Sequence, residues 1–265
     1  MSATSRHQAV GELIRDWRTR RKYSQLDVSS ELGVSTRHLS FVETGRSRPS
    51  PELILTLADF LDVPLRERNT MLLAAGYAPR YSARDLTDPS MATVTASLQR
   101  MLDAHDPYPG VVVDRQWNVL LANRAASAFV AGAAPELLTP VNVFRLCLHP
   151  DGGLAGRTLN FPDWAAYLLR QLRRTVQLTG DPELVALEAE VAAYPTLEGI
   201  ELPRETSSWD DPPLLVPFRL DAGEGRELSF FTTLTTFGTP LDITLAELAV
   251  ELFFPADDAT AAALR

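Results

Sequence analysis

Cysteine is almost absent from this chain of 265 residues. Cys147 alone cannot form an internal disulfide, and four scattered histidines (His7, His38, His105 and His149) offer no zinc-ligand spacing, so no structural metal is expected. Lys22 is the sole lysine, a compositional bias to which no function is attached. No run approaches the roughly 18 apolar residues that a membrane-spanning helix needs, and the opening MSATSRHQAV lacks the apolar core of a secretory signal. A cytoplasmic protein without membrane attachment is the expectation. Gly-rich phosphate loops, a nucleophile elbow and the His-Glu-x-x-His pattern are also missing. Cys147 near His149 has the spacing of a thiol dyad, but neighbours on one apolar helix read as core plus surface, so neither an enzyme nor a cofactor is expected.

What is present is an ordinary globular composition with an uneven charge. Apolar residues make up 45% and charged residues 22%, enough for one large domain or two ordinary ones. The net charge is −9, yet residues 1–80 carry 12 Lys+Arg against 9 Asp+Glu, a net of +3, which leaves −12 for the remainder. A mildly basic head on an acidic body predicts that only the head meets a polyanion.

The head reads as five short helices. Val10, Leu13, Ile14 and Trp17 form one apolar stripe, followed by the cationic run Arg18, Arg20, Arg21 and Lys22. Ser24 with Asp27 is a capping-box start for a second helix that stops at Gly33. Ser35 can cap a third, in which Leu39 and Val42 face inward while Thr36, Arg37, Ser40 and Phe41 point away. Ser50-Pro51 opens a fourth helix and Pro64 a fifth. Two short helices joined by a glycine turn predict a helix-turn-helix, whose second helix enters the DNA major groove. Ser24-Gln25, Leu32-Gly33-Val34-Ser35, Leu39-Ser40, Glu43-Thr44-Gly45-Arg46 and Arg48-Pro49-Ser50 resemble the XRE family of bacterial and phage repressors. The resemblance implies that Gln25 contacts phosphate, that Thr36, Arg37, Ser40 and Phe41 face base edges, and that Glu43 pairs with Arg18. Ser35 and His38, at the start of the third helix, are further DNA-binding candidates from their position, His38 for a phosphate contact or for the cap. Arg37 is the first candidate for a guanine contact, because its planar fork matches O6 and N7. Arg46 and Arg48, in the loop after this third helix, are candidates for phosphate.

Residues 81–104 read as a linker and connecting helix between a head at 1–80 and a second domain at 105–265. In that domain the period changes. Val111 to Asp114, a turn at Arg115-Gln116 and Trp117 to Ala122 predict a β-hairpin, with Asn123 capping a helix after it. Helices are predicted over 141–148, 163–178 and 182–194, then strands over 214–220 and 227–237 around the loop Asp221-Ala222-Gly223-Glu224-Gly225. Residues 243–254 are assigned to a last strand, although their period also fits a helix, and ATAAALR to a short terminal helix. The expected architecture is an all-α head joined to an α+β domain of PAS-like layout. The stretches PLRERNTMLLAAGYAP, DRQWNVLLANRAA, NVFRLCLHPDG and TTFGTPLDITLAELAVELFFPAD resemble the MmyB-like transcription regulators, XRE proteins with a PAS-like ligand-binding domain. That resemblance implies a small apolar, fatty-acid-like ligand.

A ligand site of this kind needs an apolar cavity and one or two polar anchors. Trp117, Phe129, Phe144, Trp164, Phe230 and Phe231 are candidate wall residues. Asn142 and Arg145 lie three apart on one helical face, where a guanidinium can grip a carboxylate, or instead pair with Asp151 or Glu136. The functional expectation is a homodimeric one-component regulator that reads a pseudo-palindromic operator in double-stranded DNA. The alternative is a DNA-tethered module whose second domain docks a protein. An apolar pocket of roughly 300 Å³ or more separates the first from the second.

Overall fold

The computed structural model describes residues 3–200 and 214–265 and divides them into two units. The first comprises Met1–Asp85 together with Thr239–Ala246, and the second comprises Leu86–Gly238 together with Glu247–Arg265.

The first unit is helical: α1 (Ala3–Arg20), α2 (Gln25–Leu32), α3 (Thr36–Glu43), α4 (Pro51–Phe60) and α5 (Leu65–Ala74). The starts are local chemistry. Ser24 and Asp27 form a reciprocal capping box on α2, Ser35 caps α3, and Ser50 caps α4 with Pro51 at its first position. Gly33 turns α2 into α3 with φ +65°, a conformation that costs a glycine little. Val10, Ile14, Trp17, Val28, Leu39, Val42, Ile54 and Leu57 meet in one buried core. Gly11 is where α1 passes the end of α3: a Cβ there would lie 2.4 Å from the Val42 carbonyl oxygen and 2.6 Å from that of Glu43. Thr239–Ala246 completes this unit. Asp242 accepts from Arg84 at 3.4 Å, and the Ile243 N–H donates to the Ser82 carbonyl at 2.7 Å.

In the second unit α6 (Ala92–Ala104) precedes β1 (Gly110–Val113), β2 (Val119–Ala122), α7 (Val143–Leu148), α8 (Phe161–Thr179), α9 (Pro182–Ala192), β3 (Phe218–Asp221) and β4 (Glu227–Thr236). The short helix α10 (Ile243–Glu247), all but its last residue part of the first unit, leads into β5 (Ala249–Pro255) and α11 (Asp258–Ala263) of the second. All five strands form one antiparallel sheet in the order β2-β1-β5-β4-β3, with the last strand at its centre. Alternation sorts the faces. Val111, Val113, Phe253, Phe230, Phe218 and Leu220 join the buried core with Leu146, Trp164, Leu168 and Leu172 of α7 and α8. Leu98 and Leu102 of α6 are buried too, and α6 packs on β1 and β2. The fold is thus a five-helix head followed by an α+β domain, as the sequence predicts.

Two element expectations change. Residues 243–254 hold both a helix and a strand, divided at Leu248. The strand predicted over 214–220 begins only at Phe218, because Pro217 has no N–H to give a ladder. Among the described residues, no helix is long and apolar enough to cross a membrane.

Candidate functional site

Two places carry chemistry, one in each unit. In the head it is the outer side of α3. Thr36, Arg37 and Arg46 are exposed, and Ser40 and Phe41 are half-buried. The Phe41 ring underlies two guanidiniums, with Arg37 5.3 Å and Arg46 5.8 Å from its centroid. These cation–π contacts hold both arms toward one side of the helix. Ser35 Oγ accepts from the half-buried His38's backbone N–H at 3.1 Å and so serves the helix cap.

Behind this face lies a polar network. Arg18 donates to both Glu43 oxygens, at 2.6 and 3.0 Å, in the fork geometry of a guanidinium and a carboxylate. Hydrogen bonding to Glu43 raises the Arg18 pKa above its ordinary value. Gln25 Nε2 also donates to Glu43, at 2.7 Å. The pair implied by the XRE resemblance is therefore present, with Gln25 as its third member. Arg48 has protein partners as well: it donates to the Ala75 carbonyl at 3.1 Å and sits 4.3 Å from the Tyr77 ring centroid.

In the sheet domain the inner face of the sheet, α7, α8 and the turn after β2 enclose a cavity of about 280 Å³. Its wall is mainly aliphatic and aromatic: Val111, Val119, Phe129, Val130, Leu146, Leu154, Trp164, Leu168, Phe218 and Phe253. Asn123, Ser127, Cys147 and Glu251 are its polar or sulfur-bearing members. Asn123 is committed to the fold, accepting from the Gly110 and Ala126 N–H groups and donating to the Leu102 and Tyr108 carbonyls. Burial pushes the Glu251 carboxyl up to about 7, and a hydrogen bond from Thr232 only partly offsets it. Burial likewise lifts the Cys147 thiol to about 12, so it carries no thiolate for a dyad with His149.

The domains match known families. A helix-turn-helix family model matches residues 14–68, and that of the MmyB-like transcription regulator ligand binding domain matches residues 94–265. The chain belongs to the MmyB-like transcription regulators. It is a DNA-binding transcription regulator with a ligand-binding domain. A comparison with curated proteins finds no match.

In this MmyB-like regulator, Phe129 and Trp164 line the cavity. The other six candidate ligand residues are placed elsewhere. Trp117 and Phe144 pack edge to face in the core, with centroids 5.4 Å apart. Asn142 is spent on capping α7 and on bonds to the Gln116 carbonyl and Asn118. Arg145 forks onto Glu190 of α9 at 2.8 and 2.7 Å, a partner that neither Asp151 nor Glu136 anticipates. That contact lowers the Glu190 pKa, and Tyr194 adds a further hydrogen bond to it. Phe231 stacks on Phe254, whereas its neighbour Phe230 turns into the core. Glu251 is the charged cavity residue missed in the sequence. Its signal is a lone charge inside the apolar run Leu248 to Phe254.

Proposed function

We propose that this MmyB-like regulator acts as a one-component homodimer. The head reads a pseudo-palindromic operator in double-stranded DNA through Arg37, Thr36, Ser40 and Phe41, while Arg46 adds phosphate contact. A small apolar ligand, fatty-acid-like in having one aliphatic chain with one polar head, occupies the cavity and changes DNA affinity. The observation that carries the reading is the cavity itself: about 280 Å³ of largely apolar space with Glu251 and the Trp164 ring on its wall. That volume lies close to the lower end of ordinary ligand pockets. A filled core would instead favour docking of a protein.

Binding shifts DNA affinity only as far as the ligand distinguishes the two arrangements of the dimer's recognition helices. The test is native mass spectrometry of freshly purified protein, with identification of any released compound and DNA titrations before and after its removal. A mass excess of a few hundred daltons per protomer, with an altered operator affinity on release, supports the sensor. A bare dimer mass, together with operator affinity unmoved by any aliphatic compound, overturns it.

A further inference from the structure

We propose that the cavity selects an aliphatic ligand whose head is uncharged and both donates and accepts a hydrogen bond, an alcohol or a primary amide, with the Glu251 carboxyl and the Trp164 indole N–H as its two anchors. The inference rests on reading the cavity as the sensor site and names the chemistry of the head.

Trp164 supplies the first half. The residue is 4% exposed and lines the cavity, yet its Nε1–H has no hydrogen-bond partner among the described residues. Buried donors are normally satisfied, so one left open on a cavity wall points to an acceptor brought from outside. Its polar neighbour is the Cys147 thiol, which sulfur chemistry makes a weak acceptor.

Glu251 supplies the second half. On β5 it stands opposite Val111 of β1 and Leu234 of β4, on the inner side of the sheet, and it lines the same cavity. Cys147, Trp164 and Glu251 all line this one cavity. The described lining contains no arginine, lysine or histidine. Arg145, the cation that a carboxylate would need, is held by Glu190.

These facts separate the possible heads. An ionised carboxylate would bring a second negative charge beside a buried carboxyl, without a cation to offset it. An alkylammonium pairs with Glu251 but has no lone pair to accept from the indole. A hydroxyl accepts from Trp164 Nε1–H and donates to Glu251, and a primary amide does the same with its carbonyl and NH₂.

The experiment uses full-length protein and four ten-carbon probes: 1-decanol, decanamide, decanoate and decylamine. Binding is measured by calorimetry at pH 7.5, with native mass spectrometry giving stoichiometry. Decanol and decanamide are expected to bind at least about tenfold more tightly than decanoate and decylamine. Glu251→Gln keeps the shape but removes the charge, so the preference for decanol over decanoate is expected to fall about tenfold. Trp164→Phe is expected to weaken decanol about three- to tenfold and to leave decanoate nearly unchanged. Unfolding midpoints no lower than that of the wild type, with unchanged DNA binding, identify variants that remain folded. Decanoate or decylamine binding as tightly as decanol overturns the head-group assignment while leaving the sensor reading intact. A decanol preference that survives Glu251→Gln also overturns it. If none of the probes binds and none changes operator affinity, the sensor reading fails and this inference with it.

Discussion

Replacing Glu251 by glutamine is expected to make the protein more stable in weak alkali and not in weak acid. The carboxyl titrates at about 7 in the folded chain against an ordinary value of 4.5, because burial disfavours its charge. Between those values the folded state holds a proton that the unfolded state has released, so stability falls as pH rises. The contribution is fully present below pH 4.5 and is lost as pH passes about 7. A displacement of that size corresponds to about 3 kcal/mol. Cys147, lifted to about 12, and Tyr167, raised by burial and by the Glu251 charge, stay protonated across this interval and leave the transition to Glu251. Urea unfolding at pH 5, 6, 7 and 8 is the assay. Relative to wild type, Glu251→Gln gains about 2.5 kcal/mol from pH 5 to pH 8, a midpoint shift of about 1 to 2 M at ordinary urea slopes. The pH dependence of every other group cancels in the difference. A gap between the two proteins that is the same at pH 5 and pH 8 refutes the reasoning.

Other predictions concern the head. Arg37→Ala is expected to cost about 1 to 3 kcal/mol at one base position, whereas Arg46→Ala weakens all sequences alike and lowers the salt slope by about one; uniform loss in both, in binding titrations against operator variants, would remove Arg37 from base reading. Glu43→Ala leaves the Arg18 guanidinium and the Gln25 amide without their acceptor, and the side chains of Arg18 and Glu43 are only 12% and 2% exposed. Thermal unfolding is expected to show a loss of about 3 to 5 kcal/mol. Gly11→Ala pushes a methyl into the Val42 and Glu43 carbonyls and so separates α1 from α3. A loss above about 1 kcal/mol with reduced DNA binding is expected, and no loss would show that the helices yield freely.

The head was legible because its signals are local. Ser24 with Asp27, Ser35, and Ser50 with Pro51 each act within four residues, and each forms the cap that the sequence indicates. The Arg18–Glu43 pair spans 25 residues, so spacing says nothing of it and only family likeness supplied it. In the sheet domain the elements were legible but the cavity was not. Strand alternation places Phe230 and Phe231 on opposite faces without telling which face is inside. Asn142 and Arg145 do share one short helix, but α9 brings up Glu190, 45 residues later, and takes the guanidinium. In residues 243–254 two periods overlap because the chain uses both, one after the other.

Thr239–Ala246 gives the helical unit a history as well as a shape. During synthesis the five helices emerge early, within the first 74 residues, and have most of their core at once. Ser82 and Arg84 then wait for Ile243 and Asp242, which the ribosome adds nearly 160 residues later. The last edge of the DNA-reading unit therefore closes only after most of the ligand-binding domain has been made, and a fragment ended at residue 85 stops at that unfinished stage.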